Sequence, residues 1–356
     1  MRSHNSLGVG MKYLQRVRQR QEMTLVSPNN VKDKSCRANP RSLALCSFIL
    51  ALAVSVALVT QIARHFRVQA RPATLSELVS LPPAGLSNFS ICELNLLCAN
   101  GLSGCNETDI KQCLATVDSW AQHVRSETER HLYRYERSPA DFENSPGYFR
   151  MLMLAVVLAE DYGVHYDPQR MGGPETVRMD DGFFADPRSV FLHGLLGPER
   201  VGTCSSLPVL YVAVGRQLGY PLKLVTTKGH LFVRWEGAGE RFNMEATSRG
   251  SNRFDDDHYR HWPLETSPAE EQAEGYLKSL TPAGELSAFL SIRGMCLREA
   301  GKLREATESF AAAARLSPQC HGYQALLADL QTTLASRTVS TTSLLFPNST
   351  DRKNRY

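Results

Sequence analysis

Residues 42–63 carry no charged side chain, and this stretch constrains the topology of the whole chain. About 20 apolar residues in a helix cross the hydrocarbon core of a bilayer, so the segment is long enough to span one. A cleavable signal has an apolar region of roughly 7–15 residues behind a short basic head, whereas 41 residues precede this segment. We therefore expect a retained transmembrane helix at 42–63, with cleavage near residues 68–70 as the alternative.

Basic side chains are concentrated before this segment. Residues 1–41 hold nine of them against two acidic residues, and three more follow the segment closely. Because the more basic flank stays in the cytoplasm, we expect residues 1–41 to form a basic cytoplasmic tail. The main body then lies outside the cytoplasm, in a periplasmic or other extracytoplasmic space, and the chain is a single-pass membrane protein.

The charge of the main body argues against one class of partner. Beyond residue 41 the chain holds 31 of its 40 basic and 34 of its 36 acidic residues, a net charge of −3. A nucleic-acid-binding domain usually shows a clear basic excess. We therefore expect no nucleic-acid partner.

Seven of the nine cysteines follow the predicted span, and in an oxidising compartment six of them can pair. The four between residues 92 and 113 are close enough for local disulfides, in three connectivities. The alternative is that some of them are small buried apolar residues. Cys204 is the natural candidate for the unpaired thiol. The seven are Cys92, Cys98, Cys105, Cys113, Cys204, Cys296 and Cys320.

The sequence between the span and the C-terminus divides into segments of different character. Residues 64–90 contain prolines and no sustained period, so we expect a linker. Apolar residues at three- and four-residue steps predict helices over 91–137, broken at Gly101–Gly104, and over 147–158. Residues 336–356 are rich in Ser, Thr and Asn and are expected to form a disordered tail.

A helical pattern marks the region near residues 287–320. Small and aromatic residues stand there at the signature positions of a tetratricopeptide repeat, and small residues let two antiparallel helices approach closely. These residues are Gly294, Leu297, Gly301, Ala306, Phe310, Ala313 and Pro318. With a further helix at 321–335, residues 263–335 resemble a tetratricopeptide-like helical domain, which implies a protein partner at the repeat. A plain helical hairpin that caps the core is the alternative.

The stretch from Gly202 to Thr247 carries the candidate chemistry, and a cysteine opens it. Thr203 is expected to cap an apolar helix whose first turn holds Cys204. The positive end of a helix dipole favours the thiolate form of a cysteine, which is its nucleophilic form. The alternative is a small buried residue with no chemical role.

Strand-like runs follow this helix and place a histidine beside an acid. His230 opens the run 230–235, and residues 236–240 are expected to close a hairpin onto residues 241–245. Alternation puts Asn243 and Glu245 on one face of the last strand. If the hairpin turns symmetrically, His230 meets Glu245 at its open end, where a carboxylate orients an imidazole. A purely structural histidine is the alternative.

These residues together resemble a known family. Gly202-Thr203-Cys204 at a helix start, Gly229-His230 opening a strand, and Glu245-Ala246-Thr247 are similar to motifs of the transglutaminase-like superfamily, a relative of the papain fold. Bacterial members joined to a tetratricopeptide C-terminus are the closer resemblance, over about residues 92–330. The resemblance implies an α+β core over residues 91–262, with a helical N-terminal part.

The resemblance also implies site roles. Cys204 is the nucleophile, His230 the general base and acid, and Glu245 the third member of the triad, at a position where the superfamily usually has Asp. Asn243 is the alternative third member, since an amide orients the histidine in papain-like enzymes. The implied function is a thiol hydrolase or acyltransferase that acts on peptide or amide bonds of a peptide or protein substrate. The alternative is a non-catalytic interaction module that uses the same cleft and the helical repeat.

No cofactor or metal is expected for this chemistry. Gly237-Ala238-Gly239 lies between two strand-like runs, so it predicts a turn rather than a phosphate-binding loop. Acidic residues at 255–257 with His258 and His261 include metal-type ligands, but an acidic loop is the commoner outcome.

Overall fold

The computed structural model of the protein describes residues 74–105, 110–170, 182–248, 250 and 252–345. The predicted cytoplasmic tail and the predicted span at 42–63 lie outside these residues. No helix within the described ranges is long and apolar enough to cross a bilayer.

Helices dominate the first half of the described chain, and a small sheet follows them. The helices before the sheet are α1 (Leu75–Ser80), α2 (Ile91–Ala99), α3 (Ile110–Arg137), α4 (Pro146–Val156), α5 (Pro187–Val190), α6 (Leu192–Leu196) and α7 (Leu207–Gln217). The strands are β1 (His165–Tyr166), β2 (Val201–Gly202), β3 (Leu222–Thr227), β4 (His230–Gly237) and β5 (Glu240–Met244). The helices after the sheet are α8 (Asp256–His261), α9 (Pro268–Glu274), α10 (Pro282–Glu299), α11 (Leu303–Leu316) and α12 (His321–Leu345). This mixture confirms the α+β class.

Part of the segment predicted as a linker is folded. Residues 74–90 contain α1 and a 3-10 helix at Pro83–Asn88. Thr74 caps α1: its hydroxyl accepts a hydrogen bond from the Glu77 N–H at 3.2 Å, and the Glu77 carboxylate accepts one from the Thr74 N–H at 2.7 Å. Leu78 and Leu86 are fully buried. The linker prediction is wrong here. Its prolines suggested no regular structure, but a capping box and two core leucines stabilise helices in this segment.

The sheet has the order β3-β4-β5 and is antiparallel throughout. A separate parallel pair joins β1 to β2. Helix α7 is buried from Leu207 to Gly215 and packs on β3 and β4. A Cβ on Gly215 would overlap the end of the Leu222 side chain, so glycine allows a close approach of helix and strand here. The core therefore sits around α7, which follows directly on the Cys204 turn.

The C-terminal helices are joined to this core. Glu285 in α10 is buried and accepts hydrogen bonds from the guanidinium of Arg216 in α7, at 2.6 Å and 3.1 Å. Helices α10 and α11 pack against each other, and α12 packs on α11. Helix α12 continues past the boundary predicted at residue 335, so residues 336–345 are helical. The disorder prediction fails there because extending an existing helix costs far less than nucleating one.

Six of the cysteines do not form the disulfides that the sequence analysis considered. Cys92, Cys98, Cys105, Cys204, Cys296 and Cys320 are free thiols in the structure. The first three are buried among apolar side chains, which agrees with the alternative of small core residues. Cys204 is therefore not the single unpaired cysteine of a disulfide-bonded set. What sets it apart from the other free thiols is the residues that surround it.

Candidate functional site

Cys204 lies in a tight turn between β2 and α7. Helix α7 begins at Leu207, so Cys204 lies just before the helix. The prediction from sequence that it lies in the first turn is wrong. The carbonyl of Thr203 accepts hydrogen bonds from the N–H groups of Ser206 at 3.2 Å and Leu207 at 3.0 Å, which makes the turn continuous with the helix. No hydrogen-bond partner for the backbone N–H of Cys204 is seen within the described residues.

Hydroxyl groups hold this turn in place. The Thr203 hydroxyl accepts from the Ser205 N–H at 3.3 Å and donates to the Ser189 carbonyl at 3.2 Å. The Ser206 hydroxyl accepts from the Thr203 N–H at 3.0 Å and donates to the same carbonyl at 2.8 Å. A Cβ on Gly202 would lie 2.7 Å from the Ser206 oxygen. Ser205 and Ser206 therefore lie in the turn, and the Ser206 hydroxyl is occupied in holding it together.

His230 is placed by the turn between β3 and β4. Thr227 pairs with His230, so only Lys228 and Gly229 form the loop. Gly229 has a φ of +75°, which favours glycine and brings His230 to the first position of β4. His230 is 6% exposed.

A second tight turn brings Glu245 to the same end of the sheet. Gly237 pairs with Glu240, so the loop has two residues rather than the five expected from sequence. Ala238 and Gly239 have φ values of +56° and +81°, as a type I′ turn requires. The tighter register shifts the strand pairing by one residue and places Glu245 just beyond the end of β5. The expected alternation holds, since Asn243 and Glu245 share the His230 face.

His230 and Glu245 form a buried pair. Nε2 of His230 lies 2.8 Å from Oε2 of Glu245, and both side chains are almost completely shielded from solvent. The N–H and the hydroxyl of Thr247 donate to the other carboxylate oxygen at 2.9 Å and 2.6 Å. The carboxylate is thus fixed in position as well as charged.

Cys204 completes the cluster from the other side of the imidazole. Its side chain lies near enough to the His230 ring to contribute to the raised pKa of that ring. Since Nε2 faces Glu245, Nδ1 is the nitrogen left for the sulfur. The three candidate residues Cys204, His230 and Glu245 are therefore in one contiguous chain of contacts.

Electrostatics keep this pair charged. Burial by itself lowers the pKa of His230, but the negative charge of Glu245 and the hydrogen bonds to Cys204 and Glu245 outweigh it and raise that pKa to about 10. Burial by itself raises the pKa of Glu245, but the charge of His230 and the hydrogen bonds from His230 and Thr247 lower it overall. At neutral pH the arrangement is an imidazolium beside a carboxylate, with Cys204 next to the ring.

Asn243, the alternative third member, has other partners. Its Oδ1 accepts from Nε of Arg234 at 2.8 Å, and its Nδ2 donates to Asp256 at 2.9 Å and to the Phe254 carbonyl at 3.0 Å. Arg234 is fully buried and also binds Asp256. Asn243 therefore belongs to a buried polar network beside the site, and Glu245 is the residue that contacts the histidine.

Aromatic residues that sequence reasoning missed surround the pair. The hydroxyl of Tyr259 donates to Oε2 of Glu245 at 3.2 Å, and Trp262 meets the His230 ring edge-on at 4.7 Å. Tyr166 lies close to Cys204: burial raises its pKa first, and negative charge at Cys204 raises it further. Tyr166 arrives there because β1 pairs with β2, which places it opposite Gly202. None of these residues belongs to a motif, since each is brought in by tertiary packing.

Within the described residues, His193, Asp255 and His261 show no hydrogen bond to the candidate triad. His193 is buried in α6, and burial lowers its pKa to about 4. Among the described residues no group of three His, Cys, Asp or Glu side chains is arranged to hold a metal ion. Asp255 caps α8 by accepting from the His258 N–H at 2.9 Å, and His261 contacts Glu265.

Comparison with known proteins gives one match. Residues 111–286 match the family model described as the transglutaminase-like superfamily, and this range includes Cys204, His230 and Glu245. The predicted membership of the transglutaminase-like superfamily is thereby confirmed. Neither the curated proteins nor the solved structures compared with the chain gave a match.

Proposed function

Residues 111–286 belong to the transglutaminase-like superfamily, and on that premise we propose that the protein is a thiol-dependent hydrolase or acyltransferase acting on peptide or amide bonds. The observation that carries the proposal is the buried contact of 2.8 Å between His230 and Glu245, with Cys204 next to the same ring. A nucleophile, a base and an orienting group in hydrogen-bond reach form the arrangement that covalent catalysis by cysteine needs.

The first half of the proposed reaction forms a thioester. The sulfur of Cys204, with its proton on His230, attacks the amide carbonyl and forms a C–S bond. The imidazolium of His230 then gives its proton to the departing amine as the C–N bond breaks. Glu245 holds the ring in position and stabilises its charged form throughout, as the carboxylate does in other nucleophile–histidine–acid sets.

The second half releases the acyl group. Water or a second amine attacks the thioester, His230 accepts the proton of the attacking group, and the sulfur leaves. Water gives hydrolysis, and an amine gives acyl transfer. The backbone N–H of Cys204, which has no partner in the part of the chain that the structure describes, is a candidate donor to the oxyanion that forms in both halves, because preorganised N–H groups stabilise such charge.

The direct test uses the full-length chain in mild detergent. Amide hydrolysis is followed with fluorogenic peptide amides, and acyl transfer by the incorporation of a fluorescent primary amine into an unfolded protein. We expect activity in one assay that Cys204→Ala abolishes and that Cys296→Ala, a change at a buried cysteine outside the cluster, leaves intact. Activity that survives Cys204→Ala contradicts the proposal.

The competing function is a non-catalytic interaction module. A cavity that borders His230 and the C-terminal helices supports it, because it offers a binding surface without requiring turnover. If a partner is retained equally by the wild type and by Cys204→Ala, and no amide substrate is turned over, this alternative replaces the enzymatic one.

We also propose, from the sequence alone, that residues 42–63 anchor the protein with its body outside the cytoplasm. Two arguments support this: the length of the uncharged stretch, and the excess of basic residues before it. Protease digestion of right-side-out membrane vesicles is expected to remove the body and leave the N-terminal tail protected; the reverse result contradicts the orientation.

A further inference from the structure

A cavity of about 520 Å³ lies between the β3–β4 turn and the C-terminal helices. Gly229 and His230 of that turn line it, and so does Ser205, the residue after Cys204. The cavity therefore borders His230 and the chain neighbour of Cys204.

One wall is an apolar face of α10. Gly284, Ala288, Ile292 and Met295 line the cavity at steps of four and three residues, which places them on one side of the helix. Leu326 of α12 also lines it. The C-terminal helices thus contribute an apolar surface next to the reacting groups, beyond any role in stability.

Charge on this lining is largely neutralised. Apart from His230, Glu274 and Lys278 are the Lys, Arg, Asp or Glu side chains on the described lining, and they are opposite in sign. Glu274 is occupied, because its Oε2 accepts from the Gly322 N–H at 2.7 Å and from the Cys320 thiol at 3.1 Å. The cavity therefore favours a neutral occupant.

Hydroxyl groups are interspersed with the apolar side chains. Thr226, Thr227, Ser279, Thr281, Ser291 and Ser317 all line the cavity. Thr227, Ser279 and Ser317 already donate to groups of the protein, but a hydroxyl oxygen that donates still accepts from another N–H. The amides of a peptide backbone need such partners when they leave water, whereas a hydrocarbon chain forms no hydrogen bonds. The mixed lining fits a polypeptide better than an alkyl chain.

The volume of the cavity is large enough to hold more than one side chain of a bound peptide. An engineered cavity of about 150 Å³ holds a benzene molecule, and this cavity is several times larger. It also falls within the range of about 300–1,000 Å³ that is typical of ligand sites.

We propose that this cavity binds the neutral, apolar stretch of polypeptide that flanks the amide attacked by Cys204. The C-terminal helices then determine which substrates the enzyme accepts. This inference rests on the proposed function, because it assigns the substrate class of that same site.

The test compares two peptide amides of equal length and charge on the full-length chain. One carries Leu and Phe around the scissile amide, and the other carries Ser and Asn. Ser291→Trp fills the cavity from α10, and Ser336→Trp makes the same change at an exposed position of α12 as the matched control. We expect the wild type to prefer the apolar peptide, and Ser291→Trp to raise its KM about tenfold or more with little change in kcat.

A second readout does not depend on turnover. Binding of the same labelled peptides to Cys204→Ala is measured by fluorescence anisotropy, with and without Ser291→Trp. We expect the apolar peptide to bind more tightly and to lose that advantage in the double variant. Alkylation of Cys204 by iodoacetamide in Ser291→Trp, at the wild-type rate, verifies that the variant is folded around the site.

The outcomes separate this inference from the proposed function. Turnover that depends on Cys204 but shows equal KM for both peptides in wild type and Ser291→Trp overturns the cavity assignment alone. Absence of turnover overturns the proposed function, while the binding experiment still decides what the cavity holds. Stronger competition by dodecanoate than by the apolar peptide overturns the polypeptide assignment.

Discussion

Tyr259 and Glu245 are joined by a hydrogen bond of 3.2 Å, to the same carboxylate oxygen that faces His230. The Tyr259 ring is fully buried and stacks on Phe232, with centroids 3.8 Å apart. Phe232 and His230 lie on the same face of β4, so one aromatic stack carries both the histidine and the group that orients its partner. Tyr259 is therefore a positioning residue for the candidate triad.

Removing only the Tyr259 hydroxyl is expected to weaken the triad without disturbing the stack. In Tyr259→Phe the ring still packs on Phe232, while Glu245 loses one donor and about 1 kcal/mol of stability is lost. We expect kcat to fall by roughly tenfold with KM unchanged, because the carboxylate is held less firmly and no substrate contact is lost. Steady-state kinetics and urea unfolding measure the two effects. An unchanged kcat contradicts the positioning role.

The pair of His230 and Glu245 makes stability depend on pH. The stabilisation from His230 is fully present below its unfolded pKa of about 6.5 and is lost as the pH rises towards about 10, because its folded pKa is raised. The contribution of Glu245 has the opposite sense: it is present above the unfolded pKa of about 4.5 and is lost on acidification, because its folded pKa is lowered. The combined effect is therefore largest between about pH 4.5 and 6.5.

Glu245→Gln is expected to remove this dependence. The variant loses about 3 kcal/mol near pH 5.5, since one partner of a buried pair is gone, and the difference from the wild type shrinks as the pH approaches 10. Burial is then opposed only by the contribution of Cys204, so NMR titration is expected to give His230 a pKa well below the wild-type value of about 10. A constant difference in unfolding free energy across this range is the result that argues against the assignment.

Local sequence patterns predicted the elements of the site but not its surroundings. The strand starting at His230 and the alternation that puts Glu245 on the His230 face follow from period-two spacing, and both are found. The predicted length of the loop between β4 and β5 was wrong. Glu236 and Glu240 are polar residues typical of a loop, but here they extend the two strands. Polar residues at the exposed end of a hairpin cost little in either state, so composition alone does not fix the turn.

Long-range contacts explain what sequence could not supply. Tyr166 precedes Cys204 by a long segment and reaches it only through the pairing of β1 with β2. Tyr259 comes from α8. The acidic residues at the start of this helix, Asp255 and Asp256, suggest metal ligands in the sequence, not a residue of the site. Its one buried aromatic residue carries the contact to Glu245. Such contacts have no local period or motif.

Helix packing in the C-terminal region gives a stability prediction. A Cβ on Gly294 would lie 2.7–2.9 Å from three atoms of the Phe310 ring, and Phe310 is fully buried. Alanine gains about 1 kcal/mol over glycine in a helix, but overpacking against a ring that cannot move costs more. We expect Gly294→Ala to lose about 1–2 kcal/mol in urea unfolding.

The matched control for this change is Gly85→Ala. A Cβ there meets its nearest atoms at 3.7–3.8 Å, which is ordinary contact, and its φ is not in the left-handed region. Its stability is expected to stay within about 0.5 kcal/mol of the wild type. Equal effects of the two substitutions contradict the close packing of α10 on α11.

Alkylation rates test whether the cluster activates Cys204. Burial raises the pKa of Cys296 and of Cys320 to about 12, so both are almost entirely protonated at neutral pH. Cys204 instead lies next to the His230 ring, and a neighbouring imidazolium is the setting in which cysteines react fastest. Cys320 is the more exposed thiol and Cys204 is only 5% exposed, so accessibility alone predicts that Cys320 reacts faster than Cys204.

We expect iodoacetamide to label Cys204 at least about tenfold faster than Cys296 and Cys320 at pH 7, as measured by mass spectrometry of the digested protein. In His230→Gln the advantage of Cys204 is expected to disappear while labelling of Cys296 and Cys320 is unchanged. Slow labelling of all three cysteines in the wild type counts against a thiolate nucleophile and favours the interaction module.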